Sequence, residues 1–79
     1  MNLKIYTMRR TVYGGDAGRL TLPTSVGEIT VLDNHEPYVT ILSAGKLRYE
    51  VAGAEAHLVI KGGFLEVREG NEVRVLADE

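Results

Sequence analysis

The sequence predicts an all-β fold, a small sandwich or flattened barrel of about eight to ten short, mostly antiparallel strands. Apolar residues recur with period two along most of the chain. Half-buried strands need that spacing, because successive side chains point to opposite faces. Nowhere do apolar residues follow the 3.6-residue period of an amphipathic helix. Residues that favour turns fall between the alternating runs at short, regular intervals.

Taken in order, Leu3 to Met8 reads as a strand and Thr11 to Tyr13 as a further short one, followed by a turn at Gly14-Gly15-Asp16. Arg19 to Leu22, Glu28 to Val31 and Tyr38 to Leu42 come next. Lys46 to Val51 is the clearest strand, with Leu47, Tyr49 and Val51 alternating against Lys46, Arg48 and Glu50. Ala52-Gly53-Ala54 supplies a turn before Ala56 to Ile60. Phe64 to Arg68 and Glu72 to Leu76 flank Gly70-Asn71, a pair that accepts positive φ cheaply and predicts a tight hairpin. Leu65, Val67, Val73 and Val75 are the expected core of that hairpin.

The 79 residues suffice for one domain spanning 1–79 with one core. So small a domain often relies on disulfides or a metal. The chain has no cysteine, and His35 and His57 lie far apart, so docking onto a partner is the remaining source of extra stability. A net charge of -2 with scattered basic residues argues against nucleic-acid binding. No apolar run approaches the roughly 20 residues that span a bilayer, and the opening Met-Asn-Leu-Lys-Ile lacks the apolar stretch of a secretory signal. A soluble protein, without direct membrane insertion, is expected.

Little in the chain points to a reaction. Asp33-Asn34-His35-Glu36-Pro37 is the densest polar cluster, but Asp, Asn and Pro are ordinary loop residues, and no nucleophile or oxyanion donor is evident beside them. Lys61-Gly62-Gly63 suggests a phosphate loop only until the following residues are read. They alternate as a strand, whereas a phosphate cradle opens a helix, so a bend or bulge is expected. The four tyrosines, Tyr6, Tyr13, Tyr38 and Tyr49, are spread one to a segment, unlike a stacking platform or a sugar-binding face. A metal-dependent hydrolase built on His35 would need three convergent ligands, and Asp33, His35 and Glu36 cannot share one side of a rigid strand. A free-standing ligand-binding module stays open as an alternative.

Two stretches carry a resemblance. Gly27-Glu28-Ile29-Thr30-Val31-Leu32 with Asp33-Asn34-His35-Glu36-Pro37 and the strand containing Thr40 resembles one signature of F-type ATP synthase epsilon subunits. Gly62-Gly63-Phe64-Leu65-Glu66-Val67, with Val75-Leu76-Ala77-Asp78 after the Gly70-Asn71 turn, resembles the second. The likeness covers essentially the whole chain. Ile29 to Leu32 lacks the family's frequent Gly and Pro, and Lys61 replaces a common small polar residue. The chain stops at Glu79, where most relatives enter a C-terminal helical hairpin, so the hairpin's inhibitory and ATP-binding activities are not expected here.

The resemblance implies a non-catalytic subunit of the rotor stalk, without cofactor or metal, monomeric within its complex. Such a subunit couples the gamma subunit to the c-ring during ion-driven ATP synthesis, peripherally at the cytoplasmic face of the membrane. It further implies that Ser25, Val26, Gly27, Glu28 and Ile29 lie toward the c-ring, and that His35, Thr40 and Thr7 lie toward gamma. The fold expectation predicts a far-ultraviolet circular dichroism spectrum of β type. A helix-dominated spectrum would refute it.

Overall fold

The computed structural model describes residues 1–79. The alternating runs become nine strands: β1 (Asn2–Tyr6), β2 (Thr11–Asp16), β3 (Arg19–Thr24), β4 (Gly27–Leu32), β5 (Tyr38–Leu42), β6 (Gly45–Val51), β7 (Ala54–Ile60), β8 (Gly62–Arg68) and β9 (Glu72–Asp78). They form two runs, β2-β1-β9-β8-β5 and β4-β3-β6-β7. A single bridge pair, Thr24 with Leu42, joins the runs, and Ser43 N donates to the Pro23 carbonyl beside it at 3.0 Å. One run folds over the other as a β-sandwich, as expected. The pairings are antiparallel except β1 with β9, which is parallel.

Alternation decides what goes inside. The first layer contributes Leu3, Ile5, Leu65, Val67, Val73 and Val75, and the second Leu20, Leu22, Val31, Leu47, Tyr49 and Ile60. Full burial of such a side chain is worth roughly 1.5–3 kcal/mol, so this core does the work that a disulfide does in other small domains. Tyr13 of β2 meets Tyr49 of β6 with ring centroids 5.1 Å apart, so two tyrosines distant in sequence close the sandwich between the layers. Gly14-Gly15-Asp16 is no turn: these residues continue β2, paired with Lys4, Leu3 and Asn2. The turn between β2 and β3 lies instead at Ala17-Gly18, while the earlier turn, between β1 and β2 at Thr7–Arg10, is made by the Thr7 hydroxyl, which accepts from the amides of Arg9 and Arg10, both at 3.2 Å. That hydroxyl forms a turn that contains no glycine.

Two corners need glycine. Gly63 has φ +142, and a Cβ there would lie 2.2 Å from the Leu76 carbonyl oxygen of the neighbouring strand. Gly45, at φ +154, turns the chain from the first layer into the second with Pro23 packed against it, 3.1 Å from where a Cβ would sit. Lys61-Gly62-Gly63 is thus a bend entering β8, with no helix after it.

Gly63→Ala is expected to destabilise by about 2–4 kcal/mol in urea denaturation, since strain and a backbone clash combine. Gly70→Ala, where φ is +81 but the space is open, should cost only about 1 kcal/mol. Equal costs at the two positions would show that the close approach at Gly63 is absent.

Candidate functional site

Pairing register sets the side chains in rows across each layer. On the outward face of the first layer one row runs Tyr6, Leu76, Phe64, Ile41, on β1, β9, β8 and β5. All four are apolar or aromatic, and Ile41 and Phe64 are more than half exposed, at 65% and 54%. Val39 adjoins this row on β5, and Met8, in the β1–β2 turn, shares a groove with Phe64 and Leu76. The next row is charged: Lys4, Arg74, Glu66. Beyond it come Asn2, Glu72 and Arg68.

The outward face of the second layer is different. Its central row is Thr30, Thr21, Arg48, His57, and Leu32, Arg19, Glu50 and Glu55 form the next. Arg48 there binds Glu28 of β4 at 3.1 Å and reaches Glu55 of β7 at 4.0 Å. Val59 is an isolated exposed apolar residue on β7. One outer face is therefore polar and internally paired, and the other is apolar at its centre. Large apolar side chains exposed together on one face mark an interaction surface far more often than scattered ones do.

The residues singled out from sequence fall at opposite ends of the strands. Ser25, Val26 and Gly27 form the β3–β4 hairpin tip, held by Thr24 Oγ1 donating to the Gly27 carbonyl at 2.6 Å. Val26 projects almost freely, at 86% exposure, Glu28 is tied to Arg48, and Ile29 packs on the core. Thr7 lies at this same end, one residue past the Tyr6 row. His35 is at the other end, in the loop between β4 and β5, so the strands separate it from Thr7. Thr40 is opposite Leu65 and half-buried on the inward side of β5, while its neighbours Val39 and Ile41 face outward.

The His35 loop is held from two sides. The α-amino group of Met1 donates to the Ala17 carbonyl at 2.8 Å and to Asp33 Oδ1, with Asp16 Oδ1 at 3.4 Å. Asn71, in the β8–β9 turn at φ 60, accepts from the Asn34 amide at 2.8 Å and donates to Asp33. His35 closes on its own loop, its Nδ1 donating to the Glu36 carbonyl at 2.7 Å, with the Tyr38 ring 6.1 Å away. No group of three or more His, Asp or Glu residues stands close enough to hold a metal ion. Burial pulls the Met1 amine down, but the hydrogen bond and charge of Asp33, with the charge of Asp16, outweigh it and hold the amine above its ordinary 8.0. The hydrogen bond from that amine, then that from Asn71, hold Asp33 below its ordinary 3.8.

Sequence reasoning missed the outward row of Tyr6, Leu76, Phe64 and Ile41. Its signal was present as a failure of alternation: Phe64-Leu65, Val75-Leu76 and Ile41-Leu42 each place apolar residues on both faces. A strand apolar on both faces must have both faces covered.

The clamp on the His35 loop is complete only while Met1 is protonated and Asp33 ionised. The Asp33 contribution is present above 3.8 and disappears as pH falls through the lowered folded value. The amine contribution is full below 8.0 and disappears as pH rises through the raised folded value. Asp33→Asn should therefore lower the thermal midpoint most between those limits, and approach wild type only once pH has fallen through the lowered value of Asp33 or risen through the raised value of the amine. A deficit independent of pH would refute the clamp.

Residues 1–79 match the family described as ATP synthase, Delta/Epsilon chain, beta-sandwich domain. The chain is 42% identical over 76 residues to the ATP synthase epsilon chain of Pelotomaculum thermopropionicum, an alignment covering 96% of this chain and 56% of that one. It is 40% identical to the epsilon chain of Dehalococcoides mccartyi, over 99% of this chain and 55% of the other. It thus spans about half the length of these relatives. A chain of the Euglena gracilis mitochondrial ATP synthase, from an OSCP/F1/c-ring assembly, superposes with a TM-score of 0.93 at 28% identity, covering all of this chain and 51% of that one. A chain from the Tetrahymena thermophila mitochondrial ATP synthase central stalk and c-ring shares the fold, with a TM-score of 0.83 at 17% identity over 98% of this chain and 62% of its own length. The uninterrupted match from the first residue to the last makes this chain a member of the ATP synthase delta/epsilon β-sandwich family.

Proposed function

We propose that this chain is a non-catalytic rotor-stalk subunit of an F-type ATP synthase, fastening the gamma subunit to the c-ring so that the two turn together. The observation that carries the reading is the contrast between the two outer faces: polar and internally paired on β4-β3-β6-β7, apolar across β1, β9, β8 and β5. Gamma docks on the apolar face, with Phe64 and Leu76 at its centre. The c-ring meets the Ser25–Ile29 tip at the Thr7 end of the strands, where Val26 and Glu28 stand at the surface. Thr7 borders the gamma face at one end and His35 borders it at the other. Thr40 acts from beneath, by fixing the strand that presents Val39 and Ile41.

Torque transmission suits a sandwich whose strands are hydrogen-bonded along their length, because relative rotation of the two partners must shear a packed core. The subunit sits peripherally at the cytoplasmic face of the membrane, through the complex, with no cofactor and no nucleic-acid partner. Phe64→Asp or Leu76→Asp places a carboxylate in the proposed docking face while leaving the core intact. Each should weaken co-purification with gamma at least about tenfold, the scale of a central interface residue, and lower ion-driven ATP synthesis in a synthase reconstituted with it. Arg48→Gln on the polar layer should leave gamma binding unchanged. Undiminished binding of both aspartate variants would refute the assignment.

A further inference from the structure

One row of the apolar face breaks a rule of sheet chemistry. Lys4 and Arg74 are direct neighbours on β1 and β9, on the same outward side. Like charges placed directly opposite are destabilising. No carboxylate lies within ion-pair distance of either, although Glu66 is the next residue in the row. Glu66 instead leans toward Arg68 at 3.9 Å. Two cations thus stand side by side without an ion pair, Glu66 flanking only Arg74, one row away from the apolar line of Tyr6, Leu76, Phe64 and Ile41. Elsewhere no two cations are set against each other across strands: Arg48 has Glu28 and Arg10 has Glu79 at 2.6 Å, while Arg19 and Lys46, without an ion pair, are set against Glu50 and Val59.

The geometry points to Lys4 and Arg74 as a dicationic strip that receives an acidic side chain of the docked gamma subunit, an inference that rests on the proposed gamma face. Adjacent rows are two residues apart, about 7 Å along a strand. The partner surface is accordingly an apolar ridge lying on Phe64 and Leu76, with a carboxylate about 7 Å from it toward the His35 end. The strip sets orientation: reversing the partner along the strand axis would lay its carboxylate on the apolar groove of Met8, Phe64 and Leu76 and leave the two cations unpaired. Its effect should be felt mainly in register and association, as with charge complementarity generally.

The test measures binding of the gamma subunit of the same synthase to the chain and its variants at low and high salt. Arg74→Glu and Arg19→Glu alter net charge equally, but Arg19 is on the polar layer. Arg74→Glu and Lys4→Glu should each weaken binding about tenfold at low salt, with the deficit shrinking as salt rises. Arg19→Glu should bind within about twofold of wild type, and Arg74→Lys should largely preserve affinity. Thermal midpoints no lower than wild type would establish that folding is intact, since reversing either charge also relieves the Lys4–Arg74 repulsion. If Arg74→Glu and Lys4→Glu bind like wild type while Phe64→Asp does not, the strip is overturned and the gamma face stands. A loss of equal size at both salt concentrations, or an equal loss with Arg19→Glu, also overturns it. If Phe64→Asp binds normally, the gamma face itself fails, whatever the charge variants do.

Discussion

The first and last strands of the chain lie side by side, and the rest of the sandwich is arranged around that parallel pair. Leu3 is set against Val73 and Ile5 against Val75, all buried. The two strands occupy the middle of the first layer, with β2 added outside β1, and with β8 and β5 added outside β9. The pairing joins segments about as far apart in sequence as the chain allows, so it carries a large loop-closure cost that the core must offset. It also fixes the outward rows. Because Tyr6 is opposite Leu76 and Lys4 opposite Arg74, one register places an apolar line and a cationic pair on the same exposed surface.

On the proposed assignment, that surface explains how so small a domain serves as a mechanical part. The second layer presents a mainly polar outer face, with Arg48 paired to Glu28 and Glu55 at its centre, which water can cover. The first layer leaves Phe64, Leu76, Ile41 and Met8 in water, at a cost that the proposed docking would remove. On the proposed assignment the stability missing from the isolated sandwich is supplied by its place in the rotor. The clamp among Met1, Asp33 and Asn71 holds the His35 end while the β3–β4 tip faces the opposite way.

Much of the fold was legible in the sequence because burial on one face writes itself as alternation. Lys46 to Val51 and Tyr38 to Leu42 fall where the pattern puts them, give or take one residue. The β2 segment did not read correctly: Gly14 and Gly15 look like a turn, yet an edge strand paired along β1 tolerates them, and the turn they seemed to mark comes later, at Ala17-Gly18. The parallel pairing of β1 with β9 was invisible, since alternation records which face a residue occupies but not which strand lies beside it. The exposed row was half visible. Phe64 and Leu76 interrupt the alternation, but only the register shows that they align with Tyr6 and Ile41 rather than scatter. His35 and Thr7 came from motif resemblance, and motif resemblance is silent about their standing at opposite ends of the strands.

The claim on which the account turns is that the face of β1, β9, β8 and β5 is covered in the assembled synthase while the face of β4, β3, β6 and β7 is not. Hydroxyl-radical footprinting of the free chain and of the chain in its synthase measures this directly, because Tyr6, Met8, Phe64 and Leu76 on one face and His57 and Val59 on the other are all exposed or partly exposed and oxidisable. Protection on assembly at Met8, Phe64 and Leu76, with His57 and Val59 as reactive as in the free chain, is the result the account predicts. Protection of His57 and Val59 with Phe64 and Leu76 still fully reactive would contradict it.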